Sequence, residues 1–313
     1  MTERVLTLTP NPALDVWTTT AKFRSGSKLR CSQPRIDPGG GGINVSRVLH
    51  RLEGDTLALF TAGGRTGEEV AARLDGFGVP AERCAIDSDT REDFSVREEE
   101  SGDVLRFVTP GPELSAGEGD RLLDRLGKLA GGGELVVGSG SLPAGLDDDF
   151  WAEAVRRCKD AGARFILDSH DCVGPALDEG VFCFRENTDA VAELAGHDIA
   201  WPDEVAAWAE KQIEAGAVEM IIVTEGSEGA LLVTRDTRLV LSPPEVEPRS
   251  AVGAGDSFVA GLCLALSEQR SIEDTLRQAV GTAAATLLTP GTELCRKEDV
   301  ERLVSACGDP RHI

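Results

Sequence analysis

The sequence predicts an α/β fold: a mostly parallel central sheet with helices on both faces, plus a small β lid. Three observations carry this reading. Short apolar runs alternate with amphipathic ones along most of the chain, which is the rhythm of βαβ units. Glycine clusters stand where predicted strands give way to predicted helices, as turns in such folds require. Two stretches break the rhythm with alternating apolar and polar residues and with turn residues such as Ser101-Gly102. In chain order, the pattern gives a strand at Val5–Thr9, a helix at about 43–52, a strand at 56–61 and a helix at 68–77. It resumes with a strand at 135–138, a helix at 149–160, strands at 164–168 and 218–224, and two helical runs within about 254–288. The interruptions, at about 15–36 and 92–108, read as antiparallel strands inserted outside the main sheet; surface hairpins without a role are the alternative. No internal repeat, long linker or low-complexity tract divides residues 1–313, so a single domain is expected.

Composition excludes several classes. With 41% apolar residues the chain can bury a large core. A formal charge of -22 opposes binding to nucleic acid, because a polyanion is repelled over most of the surface. A phosphorylated ligand would need local cations, which directs attention to Lys28, Arg91 and Arg185. The eight cysteines are scattered without a Cys-x-x-Cys pair, and only four histidines accompany them. Buried reduced thiols are therefore expected, and neither a zinc site nor a disulfide framework is. No stretch reaches the apolar length of a membrane span, and the opening Met1-Thr-Glu-Arg shows no signal-peptide pattern; no membrane partner and a cytoplasmic location are expected.

The chemistry concentrates at three places. In Val252-Gly-Ala-Gly-Asp-Ser-Phe-Val259, three small residues lead into a carboxylate at the start of an apolar helical run. Gly253, Ala254 and Gly255 leave backbone N–H groups unobstructed at a helix N-terminus, a site for phosphate or a developing oxyanion. Asp256 would be a poor phosphate ligand there, and its expected task is to accept a proton from an attacking hydroxyl. At a helix N-terminus it should be a weak base. The competing reading makes it an ordinary helix cap before Phe258, Val259, Leu262 and Leu266.

The second place is Asp37-Pro-Gly-Gly-Gly-Gly-Ile-Asn-Val45. Backbone free of Cβ at Gly39 and Gly40, beside an Asn44 that both gives and accepts hydrogen bonds, suits a polyhydroxyl ligand. The spacing is neither a dinucleotide fingerprint nor a Walker A loop; a flexible turn is the alternative. The third is Asp15, just past the first strand, at the edge where open α/β sheets bind ligands. It could grip sugar hydroxyls or simply occupy an exposed turn.

Four motifs, Pro38-Gly-Gly-Gly-Gly-Ile-Asn-Val45, Ala62-Gly-Gly-Arg-Thr-Gly67, Gly138-Ser-Gly-Ser-Leu-Pro143 and Val252-Gly-Ala-Gly-Asp-Ser257, occur in the order found in the ribokinase-like PfkB sugar kinases, which the chain resembles over nearly its whole length. Within that family Lys28-Leu-Arg-Cys31, the four-glycine run, Arg106-Phe-Val108 and Pro110-Gly111 look most like the minor 6-phosphofructokinase branch. Kinases of fructose 1-phosphate and tagatose 6-phosphate usually carry lysine where Gly41 stands. The resemblance implies a ribokinase-like fold and an ATP-dependent kinase acting on the C1 hydroxyl of fructose 6-phosphate. A kinase for either of those other sugar phosphates, or a weakly catalytic sugar-phosphate binding protein, remains open.

By the same resemblance Asp256 would be the base and the amides of Gly253, Ala254 and Gly255 would cradle the phosphoryl group. Asp15, Gly39, Gly40, Asn44 and Ser141 would hold the sugar, with Arg91 and Lys28 at its phosphate. Arg185, Asn187, Thr224, Gly226 and Gly229 would line the nucleotide, with Asn187 also at magnesium. Two departures stand out. Arg185-Glu-Asn187 replaces the usual Lys-Pro-Asn, and Ala190 replaces the glutamate of Asn-x-x-Glu, which leaves Asp189 or Glu193 as partial substitutes and implies weak magnesium handling. Ala251 also replaces the usual threonine before the cradle. A potassium ion near Thr289-Pro-Gly-Thr292 and a homodimer joined through the lid complete what the likeness implies.

Overall fold

The computed structural model describes residues 3–313; Met1 and Thr2, part of the opening read for a leader, lie outside them. The chain begins with β1 (Val5–Thr9), β2 (Ala13–Thr20), β3 (Arg35–Gly39), α1 (Gly41–Arg51), β4 (Thr56–Ala62), α2 (Gly64–Gly76) and β5 (Ala81–Ala85). It continues through β6 (Arg91–Glu98), β7 (Val104–Phe107), α3 (Ala116–Leu129), β8 (Leu135–Ser139), α4 (Phe150–Asp160), β9 (Arg164–Asp168), α5 (Val173–Glu179) and β10 (Val181–Asn187). It closes with α6 (Thr188–Ala195), α7 (Asp203–Glu214), β11 (Val218–Glu225), β12 (Gly229–Thr234), β13 (Arg238–Leu241), α8 (Ala254–Ser267), α9 (Ile272–Leu287), α10 (Lys297–Ala306) and β14 (Arg311–His312).

The main sheet has the order β14-β13-β12-β11-β10-β9-β8-β1-β4-β5. Pairings from β11 to β5 are parallel, and β12, β13 and β14 are added antiparallel. Alternation builds the layers. Leu6 and Leu8 of β1 pack with Leu122, Trp151 and Phe165 on one face, while Val5 packs with Val45, Val48, Phe258 and Leu262 on the other. Such burial on both faces is why β8 and β9 carry unbroken apolar triplets. Thr7, the polar residue inside β1, is satisfied by the Ser46 hydroxyl at 2.9 Å, and Ser46 in turn meets Thr56 at 2.8 Å.

From β1 the chain moves one way to β4 and β5, then returns to β8 on the opposite side of β1. Connections diverge at such a reversal and leave a crevice beyond the carboxyl ends of the strands. Asn11, after β1, bridges this point by donating to Ser141 Oγ, after β8, at 3.0 Å.

A second sheet, β3-β2-β6-β7, rises from that edge. Ile36, Val16, Phe94 and Phe107 stand opposite one another across it, and the next row is Asp37, Asp15 and Asp93. One face is therefore apolar, with Phe94 and Phe107 exposed, and the other is acidic and turned toward α1, where Asp37 meets Arg47. The expectation of purely antiparallel strands is corrected here, since β2 pairs with β6 in parallel. The reason is topological: β2 and β6 continue β1 and β5, which are parallel members of the main sheet. Residues 21–34 form no strand beyond one bridge between Thr20 and Cys31. Helix α2 starts four residues earlier than the apolar pattern indicates, and β10, β12 and β13 were absent from the rhythm. No helix among the described residues is long and apolar enough to cross a membrane, and all eight cysteines are unpaired thiols.

Candidate active site

Two glycine-led helix starts meet at the crevice. Gly253 caps α8 in the left-handed region, at φ 76°, a conformation that a side chain resists. The N–H of Ala254 turns back to the Ala251 carbonyl at 3.2 Å, so the expected row of three free amides is corrected to the N–H groups of Gly253 and Gly255, which have no main-chain or side-chain partner among the described residues. Asp256 follows in the first turn, half-buried, and its Oδ2 accepts from Asn44 Nδ2, in the first turn of α1, at 2.8 Å. Burial pushes the Asp256 carboxyl up to about 6, Asp168 adds to that, and the Asn44 hydrogen bond with the charges of Arg185 and Arg106 holds it back. The weak base expected from the helix terminus alone is thereby corrected: removal from water outweighs the terminus.

Arg185, near the end of β10, lies against the same spot. A Cβ added at Gly255 would stand 3.0 Å from its Nη1. The guanidinium donates to Asp168 Oδ1 at 3.1 Å and to Thr224 Oγ1 at 2.9 Å, and sits 5.8 Å from the centre of the Phe258 ring. Asp168, at the end of β9, also accepts from Ser139 Oγ at 2.8 Å.

On the other side of Asn44 stand the sugar candidates. A Cβ at Gly39 would overlap the Asp15 carboxylate, so only glycine lets β2 and β3 approach with that acid between them. Burial raises the Asp15 carboxyl to about 7, helped by Asp93 and opposed by Arg47, Arg106 and Arg91. Gly40 caps α1. Arg91 reaches the crevice, donating to the Asn11 carbonyl at 3.4 Å, but pairs with Asp93 at 2.9 Å. Ser141 is held by Asn11. Lys28 is exposed on the 21–34 connection, forms no ion pair among the described residues and touches none of the other candidates through a hydrogen bond.

The nucleotide candidates follow β10 and β11. Thr224 is joined to Arg185, while Gly226 and Gly229 make the tight turn between β11 and β12. Asn187 caps α6, its Oδ1 accepting from the Ala190 N–H at 2.9 Å. Asp189 and Glu193 are exposed, and no hydrogen bond draws either toward Asn187. Glu186, by contrast, is only 5% exposed; its Oε2 accepts from the Asn187 N–H at 3.1 Å and its Oε1 lies 4.0 Å from His170 Nδ1. Burial, then Asp168, raises its pKa.

Sequence reasoning missed Asp168, Glu186, Arg106 and Asn11 as members of this cluster. An acid at the carboxyl end of a parallel strand signals Asp168, and an acid in the place of proline signals Glu186. Arg106 lies on the acidic face of the second sheet, opposite Ser95, and its charge is felt by both Asp15 and Asp256. The assembled group offers a poised carboxylate, a fixed cation and free N–H donors at one point, which suits proton removal from a hydroxyl beside a transferring anionic group.

The family described as pfkB family carbohydrate kinase matches residues 12–299. The ATP-dependent 6-phosphofructokinase isozyme 2 of Mycobacterium tuberculosis H37Rv is 39% identical over 310 residues, 99% of this chain and 91% of that protein. The 1-phosphofructokinase of Bacillus subtilis is 31% identical over 301 residues, 96% of this chain and 97% of that protein. The crystal structure of phosphofructokinase-2 from Escherichia coli in complex with fructose-6-phosphate superposes with a TM-score of 0.91 at 33% identity, covering 97% of this chain and 99% of that one.

Proposed function

The chain belongs to the pfkB family of carbohydrate kinases, and from that premise we propose that it transfers the γ-phosphoryl group of ATP to the C1 hydroxyl of fructose 6-phosphate, giving fructose 1,6-bisphosphate. The observation that carries the mechanism is the meeting of Asp256, Arg185 and the free N–H groups of Gly253 and Gly255 at the start of α8. Asp256 takes the proton of the C1 hydroxyl as the new O–P bond forms and, in line with it, the bond from the γ-phosphorus to the β-phosphate oxygen breaks to release ADP. Arg185 and the two amides stabilise charge on the phosphoryl oxygens during in-line transfer. Asp15, Asn44 and the backbone of Gly39 and Gly40 orient the sugar, with Ser141 held ready by Asn11. Arg91, Arg106 and Lys28 are the cations for its existing phosphate. Thr224, Gly226, Gly229 and Asn187 line the nucleotide.

Magnesium fits as an ion carried mainly by the nucleotide. No group of three or more His, Cys, Asp or Glu among the described residues is arranged to hold a metal, and magnesium at phosphates commonly keeps its waters and takes one or two protein ligands. Asn187, Asp168 and Glu186 are the residues that would face it, and the ion would neutralise charge on the phosphates. The Asn187 side chain already caps α6, and Asp189 and Glu193 are exposed, so weak magnesium handling remains part of the proposal. A potassium ion near Thr289–Thr292 is supported by the packing of that loop on the cradle: Ser250 Oγ donates to the Gly291 carbonyl at 3.2 Å. Unpaired thiols throughout support a cytoplasmic setting.

The substrate is tested by turnover on three sugar phosphates. Fructose 6-phosphate is expected to give the highest kcat/KM, ahead of fructose 1-phosphate and tagatose 6-phosphate; a clearly poorest result for the first reverses the assignment. Saturable binding without phosphoryl transfer to any of them would instead favour the binding-protein reading.

The second sheet supports closure over the sugar as a lid and a homodimer through its outer face. Phe94, Leu105 and Phe107 are exposed there, whereas apolar side chains of this size are ordinarily covered when a patch is contiguous. Phe94→Asp/Phe107→Asp is expected to halve the mass seen by sedimentation at micromolar protein. An unchanged dimer would remove this face from the interface.

A further inference from the structure

We propose that Arg47 is a positioning residue for the reaction: it fixes the side-chain amide of Asn44 so that only the N–H end of that amide faces the base, Asp256. The inference rests on the reading of Asp256 as base. Arg47 lies one helical turn after Asn44 on α1 and is 3% exposed. Its Nη1 donates to Asn44 Oδ1 at 2.9 Å and to the Pro38 carbonyl at 2.8 Å, while Nη2 donates to the Thr292 carbonyl at 3.3 Å and lies 3.4 Å from Asp37 Oδ1. A guanidinium only donates, so the oxygen of the Asn44 amide must point to it and the nitrogen must point away. The flipped amide would set two N–H groups against the cation and its oxygen against a carboxylate. Asn44 is thus an obligate donor to Asp256 Oδ2 at 2.8 Å, which leaves Oδ1 to receive the substrate proton.

Burying an arginine is costly unless its partners are fixed, and those of Arg47 are. Asp37 is 1% exposed, accepts from Thr292 Oγ1 at 2.5 Å and from Arg35 Nε at 2.6 Å, and so pins the guanidinium between β3, α1 and the 289–292 loop. The groups acting on Asp256 are Asp168 from β9, which opposes its ionised form, and Asn44 from α1, Arg185 from β10 and Arg106 from β7, which favour it. The Asn44 contribution exists only while the amide is held.

The test uses Asp37→Asn/Arg47→Met, which removes a cation and an anion together and leaves neither buried charge alone, beside Arg47→Lys, which keeps a donor for Asn44 Oδ1. For the double variant the acid limb of kcat against pH is expected to rise by roughly one unit, the tenfold change in proton affinity that follows loss of one charge-assisted hydrogen bond. KM for ATP should not move, and Arg47→Lys should restore the limb. A double variant with lower thermal stability but an unmoved limb overturns the proposal. A measurement on the intact wild-type protein needs no variant to fold: the Asn44 side-chain amide resonances are expected to titrate with the midpoint of the kcat limb, and resonances that stay flat from about pH 5 to 8 overturn it equally. Absence of turnover on any sugar phosphate would sink the assigned activity alone, since the amide titration reads the Asn44 to Asp256 contact without it.

Discussion

Asp256→Asn is expected to lower kcat about 10²–10⁴-fold, the range for loss of a positioned general base, with KM for both substrates nearly unchanged. Asparagine fills the same space, but it cannot accept the hydroxyl proton, and the Asn44 N–H opposite would meet another neutral amide. The pH profile separates this from a folding defect. Because the wild-type carboxyl is pushed up to about 6, it is protonated and idle below that pH and ionised above it. Wild-type kcat should therefore fall as pH drops through about 6, and the residual rate of the variant should lack that limb. Full activity in the variant would remove the proposed base.

Arg185→Met is expected to lower kcat about 10²–10³-fold, the size of effect seen when one preorganised donor to a developing anion is removed. The methionine keeps the packing on Phe258 but supplies no charge beside Gly255. It also strands Asp168, whose side chain is 8% exposed and would keep only the Ser139 hydroxyl. Stability should fall by about 3 kcal/mol, the low end for a broken buried pair. Asp168→Asn/Arg185→Met separates the two effects: thermal stability should return, because no lone charge stays buried, while kcat should stay well below that of Asp168→Asn alone, which controls for the proposed place of Asp168 at magnesium. Recovery of both would reduce Arg185 to a structural partner of Asp168.

What the sequence made legible was local. Glycines before a helix, an acid at a strand end and an alternating stretch each express a backbone constraint within a few residues, so Asp15, Asn44, Gly253 and Asp256 could be singled out, and the structure gathers them at one crevice. Lys28 shows the limit of charge alone: nothing local ties it down, and it stands exposed. Relations between distant segments were not legible. The Arg185 to Asp168 pair joins neighbouring strands, the pairing of β2 with β6 joins residues nearly eighty positions apart, and the Arg47 contact to Thr292 spans about three-quarters of the chain. The strength of Asp256 as a base was misjudged for the same reason, because burial and the Asp168 charge come from elsewhere in the fold. Glu186 was overlooked because its burial comes from its place at the end of β10, which residues 185–187 alone do not express.

Neighbours in sequence serve different ends in β2 and β6: Asp15 and Asp93 belong to the acidic row, Val16 and Phe94 to the apolar one. Side chains alternate strictly, so one residue inserted or deleted within either strand would exchange the rows beyond it. Such an indel would forfeit the proposed sugar contact and the proposed assembly together. The strandless 21–34 connection carries no such phase, so a change of its length would leave both rows in place.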